Sequence, residues 1–163
     1  MCDGDRLTVE PPFAVEPHLW GPDACMAEWL CDPPGVVIQF VKPARGSLAL
    51  AEWLVGPAFE HLSSHHPAEQ RFMAVLDLAL MNGRSAAARM LLIRQALGIG
   101  RRFSHFFVVP PLVYPPMYLR AFRETVALAR SLGVNVLVAS SSRAVVEEYA
   151  LRPLVVGEVV RSG

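Results

Sequence analysis

Short β-branched and apolar runs alternate along this chain with helical stripes, and the alternation predicts most of the fold. "VVIQFV" (36–41) is β-branched and aromatic, and Pro43 stops it, as expected of a strand. "SLALAEWL" (47–54) starts on a serine and carries Leu50, Trp53 and Leu54 on one face, which predicts a helix capped by Ser47. Pro57 cannot continue the backbone ladder, so this helix is expected to kink or restart there before "PAFEHLSSHH" completes it. "FMAVLDLAL" (72–80) is a near-continuous apolar run of strand length, the pattern of a strand covered on both faces. Segment 85–98 places Ala86, Met90, Ile93 and Leu97 on one helical stripe, with Arg94 off it and Gly98 as the stop. "HFFVV" (105–109) reads as another buried strand. "PMYLRAFRETVALARSLG" (116–133) is the clearest helix: Pro116 opens it, Tyr118, Phe122, Val126, Ala129 and Leu132 form its stripe, and Gly133 closes it. "VNVLVA" (134–139) predicts a strand, and "SSRAVVEEYAL" (141–151) a last helix with a serine cap.

The order after residue 35 is therefore β-α-β-α-β-α-β-α. Strands joined through helices are parallel neighbours with right-handed crossovers, so the fold class is α/β, a mostly parallel central sheet with helices packed against it. The first 35 residues are proline-rich. There "FAVEP" suggests an extra edge strand, and "PDACMAEWL" a short helix with Pro22 near its start and Asp23 in its first turn. The chain thus divides into an N-terminal extension (1–35), an α/β domain (36–151) and a tail (152–163). The tail's "LVVGEVV" is open to two roles, pairing on a sheet edge or docking on a partner.

Composition changes this picture in one respect. Hydrophobic residues make up 53% of 163 residues, a surplus that points to a protein partner or a homodimer. The formal charge is zero, which argues against recruitment of nucleic acid by a global field. No apolar run reaches the length of a membrane span, and "MCDGDRLTVEPP" lacks the apolar core of a signal peptide, so the expected compartment is the cytoplasm. Cys2, Cys25 and Cys31 have neither C-x-x-C spacing nor an even count, and are expected as free thiols.

Candidate chemistry gathers where loops leave the carboxyl ends of the parallel strands, the edge at which such sheets bind ligands. Ser85 stands at a predicted helix start, where its hydroxyl suits an N-cap, and a phosphoryl group there would meet free N–H groups, Arg84 and Arg89. Asn82, Gly83, Arg84, Ser85 and Arg89, together with Leu112, Val113 and Tyr114 of the stiff "VVPPLVYPPMYL" loop, form the expected interaction edge. Ser140, Ser141 and Ser142 are candidate anion contacts, although no glycine accompanies them. His61 and His65 are four apart, but no carboxylate pattern completes a metal site, and none is expected. No Ser-His-Asp order, G-x-S-x-G, Walker motif or H-E-x-x-H appears, so neither catalytic residues nor a cofactor are assigned.

The strand "FMAVLDLAL", the turn with Ser85, the helix "SAAARMLLIRQA", then "HFFVVPP", a long helix and "VNVLVASSSRAVVEEYA" together resemble the STAS domain family. That family includes sulfate-transporter cytoplasmic domains and bacterial anti-sigma-factor antagonists, and the SpoIIAA-type proteins share its fold. The resemblance covers residues 36–151. The antagonists carry a leucine–aspartate strand end and a serine-bearing turn opening a helix, and the phosphorylatable position falls on or beside Ser85. Here the turn reads "NGRSAAA", with Arg84 in place of an acid or hydroxyl. The resemblance implies a non-enzymatic regulatory or scaffolding module that binds a protein partner, such as a regulator, a kinase or an anti-sigma-like protein, with Ser85 as a phospho-switch. The alternatives are a small-molecule or lipid-binding domain with a pocket under the proline loop, and a small flavodoxin-like enzyme acting on a phosphorylated substrate at Ser85 and Ser140.

Overall fold

Strand β1 (His18–Trp20) and strand β2 (Cys25–Asp32) form an antiparallel hairpin at one side of the sheet. The structure, a computed structural model, describes residues 18–64, 66–112 and 115–153. The segment expected as a short helix, "PDACMAEWL", is a turn that leads into β2. Pro22 and Asp23 look like helix-start residues, yet Asp23 (φ 58°) and Ala24 (φ 54°) are both left-handed, and the Cys25 N–H donates to the Pro22 carbonyl at 3.1 Å. That is the primed turn favoured by hairpins, and it sends the chain from Cys25 onward into a strand. Both faces of β2 are covered, so its sequence lacks the alternation that would have marked it. The suggested strand "FAVEP" lies outside the described residues. Ala24 bears the cost of a Cβ in the left-handed region, about 1 kcal/mol. Ala24→Gly is therefore expected to stabilise the protein by roughly 0.5–1 kcal/mol, read as a higher urea midpoint.

Strand β2 pairs antiparallel with β3 (Pro34–Phe40), from Cys25 opposite Phe40 to Cys31 opposite Pro34. A short strand β4 (Ala44–Gly46) leads to α1 (Leu48–Trp53), where the Ser47 side chain accepts the Leu50 N–H at 3.1 Å. Asp23 in turn accepts both the backbone N–H and the hydroxyl of Ser47, tying the hairpin turn to the helix start. Pro57 neither breaks nor restarts the helix. It sits in a π-helical turn (Leu54–Ala58) that widens the backbone around the missing N–H and passes directly into α2 (Phe59–Ser64).

Strand β5 (Phe72–Asp77) ends earlier than its apolar run, because the Asp77 carboxylate accepts the Ala79 N–H at 2.9 Å and turns the chain. The residues after it form β6 (Met81–Arg84), which pairs in parallel with β4 as a separate ribbon. Helix α3 (Ala86–Ile99), strand β7 (Phe103–Val109), helix α4 (Pro116–Ser131), strand β8 (Val136–Val138), helix α5 (Ser142–Glu148) and the short β9 (Arg152–Pro153) complete the order.

The main sheet runs β1-β2-β3-β5-β7-β8, with β9 also on β2, and its β3-β5-β7-β8 part is parallel. Because this order advances in one direction, right-handed crossovers put α1, α3 and α4 on one face. Phe72, Leu50 and Trp53 pack there at one end, and Phe122, Val126 and Val136 at the other. The opposite face carries α5, with Val145 and Leu151 on Val37, Val75 and Phe107. The tail's "LVVGEVV" lies outside the described residues.

Candidate binding edge and apolar groove

The β4–β6 ribbon places the Ser85 turn. Gly46 pairs with Arg84, and the Ser85 N–H donates to the Gly46 carbonyl at 2.9 Å. The Ser85 hydroxyl accepts the Ala88 N–H at 3.3 Å, so Ser85 caps α3. It is half-buried, with Asn82 exposed and Gly83, Arg84 and Arg89 half-buried around it. Ser85→Ala removes the cap and is expected to cost about 1 kcal/mol, measured by denaturant unfolding.

The proline loop reaches the same edge, since the Leu112 N–H donates to the Ala79 carbonyl at 3.0 Å. Leu112 is 66% exposed, whereas Val113 and Tyr114 lie outside the described residues. Two residues not singled out in the sequence as edge positions join it: Met117, 71% exposed, and Tyr118, 41% exposed, on the first turn of α4. The helical spacing alone puts Tyr118 on the buried stripe. The stripe holds only from Phe122 onward, where Phe122 and Val126 pack with Val108 and Val136.

The three serines separate. Ser140 is exposed, Ser141 caps α5 by accepting the Ala144 N–H at 3.0 Å, and Ser142 is buried with its hydroxyl donating to Gln39 Oε1 at 3.4 Å. Gln39 is paired in register with Asp77, so these polar groups share the far face of the sheet with the buried Glu28. Cys25 is a free, buried thiol, and burial pushes its pKa from 9.0 up to about 12. Its neutral form favours the fold fully below pH 9.0, and that contribution is lost as the pH rises toward about 12. Iodoacetamide at about pH 8 is expected to leave Cys25 unmodified in the native protein and to label it after unfolding, as read by peptide mass spectrometry.

Helix α3 meets the sheet differently from the expected stripe. Met90 is 50% exposed and Ala88 is the buried position, since a helix apolar on all sides does not fix its own phase. Between α1, α3, α4 and the sheet lies an apolar groove of about 280 Å³. It reaches Phe122 but none of the described residues of the proline loop. His61 stacks on Trp29, ring centroids 4.3 Å apart, and His65 lies outside the described residues. Among the described residues no cluster of His, Cys, Asp and Glu could hold a metal ion, and no helix is long and apolar enough to cross a membrane. Against protein-family models, curated proteins and solved structures, the chain shows no match.

Proposed function

We propose that this chain is a non-enzymatic, STAS-like regulatory module that binds a protein partner through the carboxyl edge carrying Ser85. The observation that supports this reading is the exposure of Leu112, Met117 and Tyr118 together where the proline loop enters α4. Large exposed apolar side chains are the usual anchors of a protein interface. Pro110, Pro111, Pro115 and Pro116 restrict the backbone freedom of the chain there, so less conformational entropy is lost on docking. Ser85 is the control point of the same edge. A phosphoryl group on its hydroxyl would replace the cap to Ala88 with charge-assisted bonds to the first N–H groups of α3, and would add negative charge beside Arg84 and Arg89.

The test compares wild-type protein with Leu112→Asp/Met117→Asp, with Ser85→Asp and with Ser85→Ala, each immobilised and exposed to a lysate. Proteins held by wild type and weakened at least about tenfold by the Leu112/Met117 pair support the edge. The same proteins held equally by both remove it. Equal capture by Ser85→Asp and Ser85→Ala removes the switch and leaves the edge.

A further inference from the structure

The sheet face beneath α3 is incompletely covered. Central strands of a helix-covered parallel sheet bury their side chains, and Val37, Val75 and Phe107 do so on the opposite face. On the α3 face, Ile38, Leu76 and Phe106 of adjacent strands β3, β5 and β7 are only half-buried. All three line the groove of about 280 Å³. From the first turn of α3 only Ala88 faces this space, Ala86 and Ala87 being exposed, and its methyl group is too small to fill it. A cavity of about 150 Å³ lined by Leu, Ile and Phe stays dry and accepts benzene. This one is nearly twice that size and suits a longer apolar group.

The lining is not uniform. Its charged side chains are Arg84 and Arg89, and Ser47 lines the groove with them. Arg89 Nε is buried without an acceptor, and no carboxylate among the described residues pairs with either guanidinium. A buried guanidinium donor lacking an acceptor favours an anion at that spot. From there the apolar wall continues along α3 to Ile99 and Phe103. The 14 residues of α3 span about 21 Å, enough to cover an acyl chain, which spans half of a bilayer's roughly 30 Å hydrocarbon core.

We propose that the groove beneath α3 binds a free single-chain carboxylate amphiphile, its chain on Ile38, Leu76 and Phe106 and its carboxylate on Arg84 and Arg89. The charge complement selects the head group, and the uncovered sheet face selects the tail. This site shares Arg84 and Arg89 with the Ser85 end of the partner edge but includes none of Leu112, Met117 and Tyr118, and it stands whether or not those three bind a protein.

The experiment is displacement of a fluorescent fatty acid from the full chain by palmitate, hexadecanol and hexadecyltrimethylammonium, all below their aggregation limits. Palmitate is expected to displace the probe about tenfold or more better than hexadecanol, and the ammonium compound to be weakest. Arg84→Gln/Arg89→Gln should lower palmitate to the hexadecanol level while leaving hexadecanol unchanged. Leu76→Trp should block all three, and because that variant risks misfolding, the arginine pair, checked by circular dichroism, decides alone if it does. Absence of displacement, equal affinity for the three head groups, or indifference to the arginine substitutions overturns the proposal. So does retention of the protein on phosphatidylglycerol vesicles without uptake of monomeric palmitate, which would assign the groove to a membrane surface.

Discussion

Gly35→Ala is expected to destabilise the protein by about 3 kcal/mol or more, a large share of a typical domain's total stability. A Cβ at this position would lie 2.0 Å from the Met73 carbonyl oxygen and 2.9 Å from the Met73 carbonyl carbon. The obstacle is backbone, so no rotamer change relieves it. Gly35 is also held on both sides, opposite Leu30 in β2 and Met73 in β5. Admitting one methyl group means parting β3 from β5 where the antiparallel half of the sheet joins the parallel half. Gly98, in α3, gives the control, since nothing lies within 4 Å of its added Cβ. Gly98→Ala should stabilise by about 0.5–1 kcal/mol through helix propensity. Urea midpoints moving in opposite directions for these two identical chemical changes would confirm the close approach at Gly35. A Gly35→Ala midpoint equal to that of wild type would refute it.

The parallel half of the sheet was legible because each of its strands is a short apolar run bounded by proline, glycine or serine. "FMAVLDLAL" and "HFFVV" need no partner to be read as buried strands, and Ser47 and Ser141 announce the helices that they cap. β2 was not legible. Its Glu28, within the segment expected as a short helix, is 1% exposed inside the sheet, so a polar side chain sits in the interior. What identifies β2 is a turn with two left-handed residues, neither of them glycine, and such a turn leaves little trace in sequence. β6 was missed for a related reason. "MNGR" has the composition of a loop, and only the neighbouring β4 makes it a strand.

The candidate site was legible in its polar part alone. Ser85 is where a helix cap should be, and Arg84 and Arg89 follow from its position. The groove depends on how far α3 stands from the sheet, with the small Ala88 facing the space and Leu50 and Phe122 lining it from α1 and α4. No local pattern encodes that distance. The one trace in the sequence was the surplus of hydrophobic residues, which suggested an external interface. Part of that surplus lines the groove, and part is exposed at Leu112 and Met117. One compositional signal thus has two structural destinations.

The groove also predicts that two phenylalanines on the same face will respond differently to truncation. Phe72→Ala is expected to cost about 3–5 kcal/mol, among the largest effects of any single substitution here. Phe72 is 0% exposed, lies 6.3 Å from the Phe103 ring and 5.3 Å from the His66 ring, and has the Arg102 guanidinium 4.9 Å above it. Removing it leaves an enclosed hole whose walls are strands β5 and β7, which cannot collapse inward. Phe106 keeps an edge contact with Phe103 at 5.3 Å but is only half-buried beside the groove. Truncating Phe106 widens a space already present, removes less buried area and should cost about 1–2 kcal/mol. Thermal melts with palmitate extend the comparison. The amphiphile should raise the melting temperature of wild type and of Phe72→Ala alike, because Phe72 does not line the groove, and should raise that of Phe106→Ala less. Equal losses for the two variants would mean that the sheet under α3 is packed as tightly as its Phe72 end, and would leave Arg89 without the apolar neighbour site that its position implies.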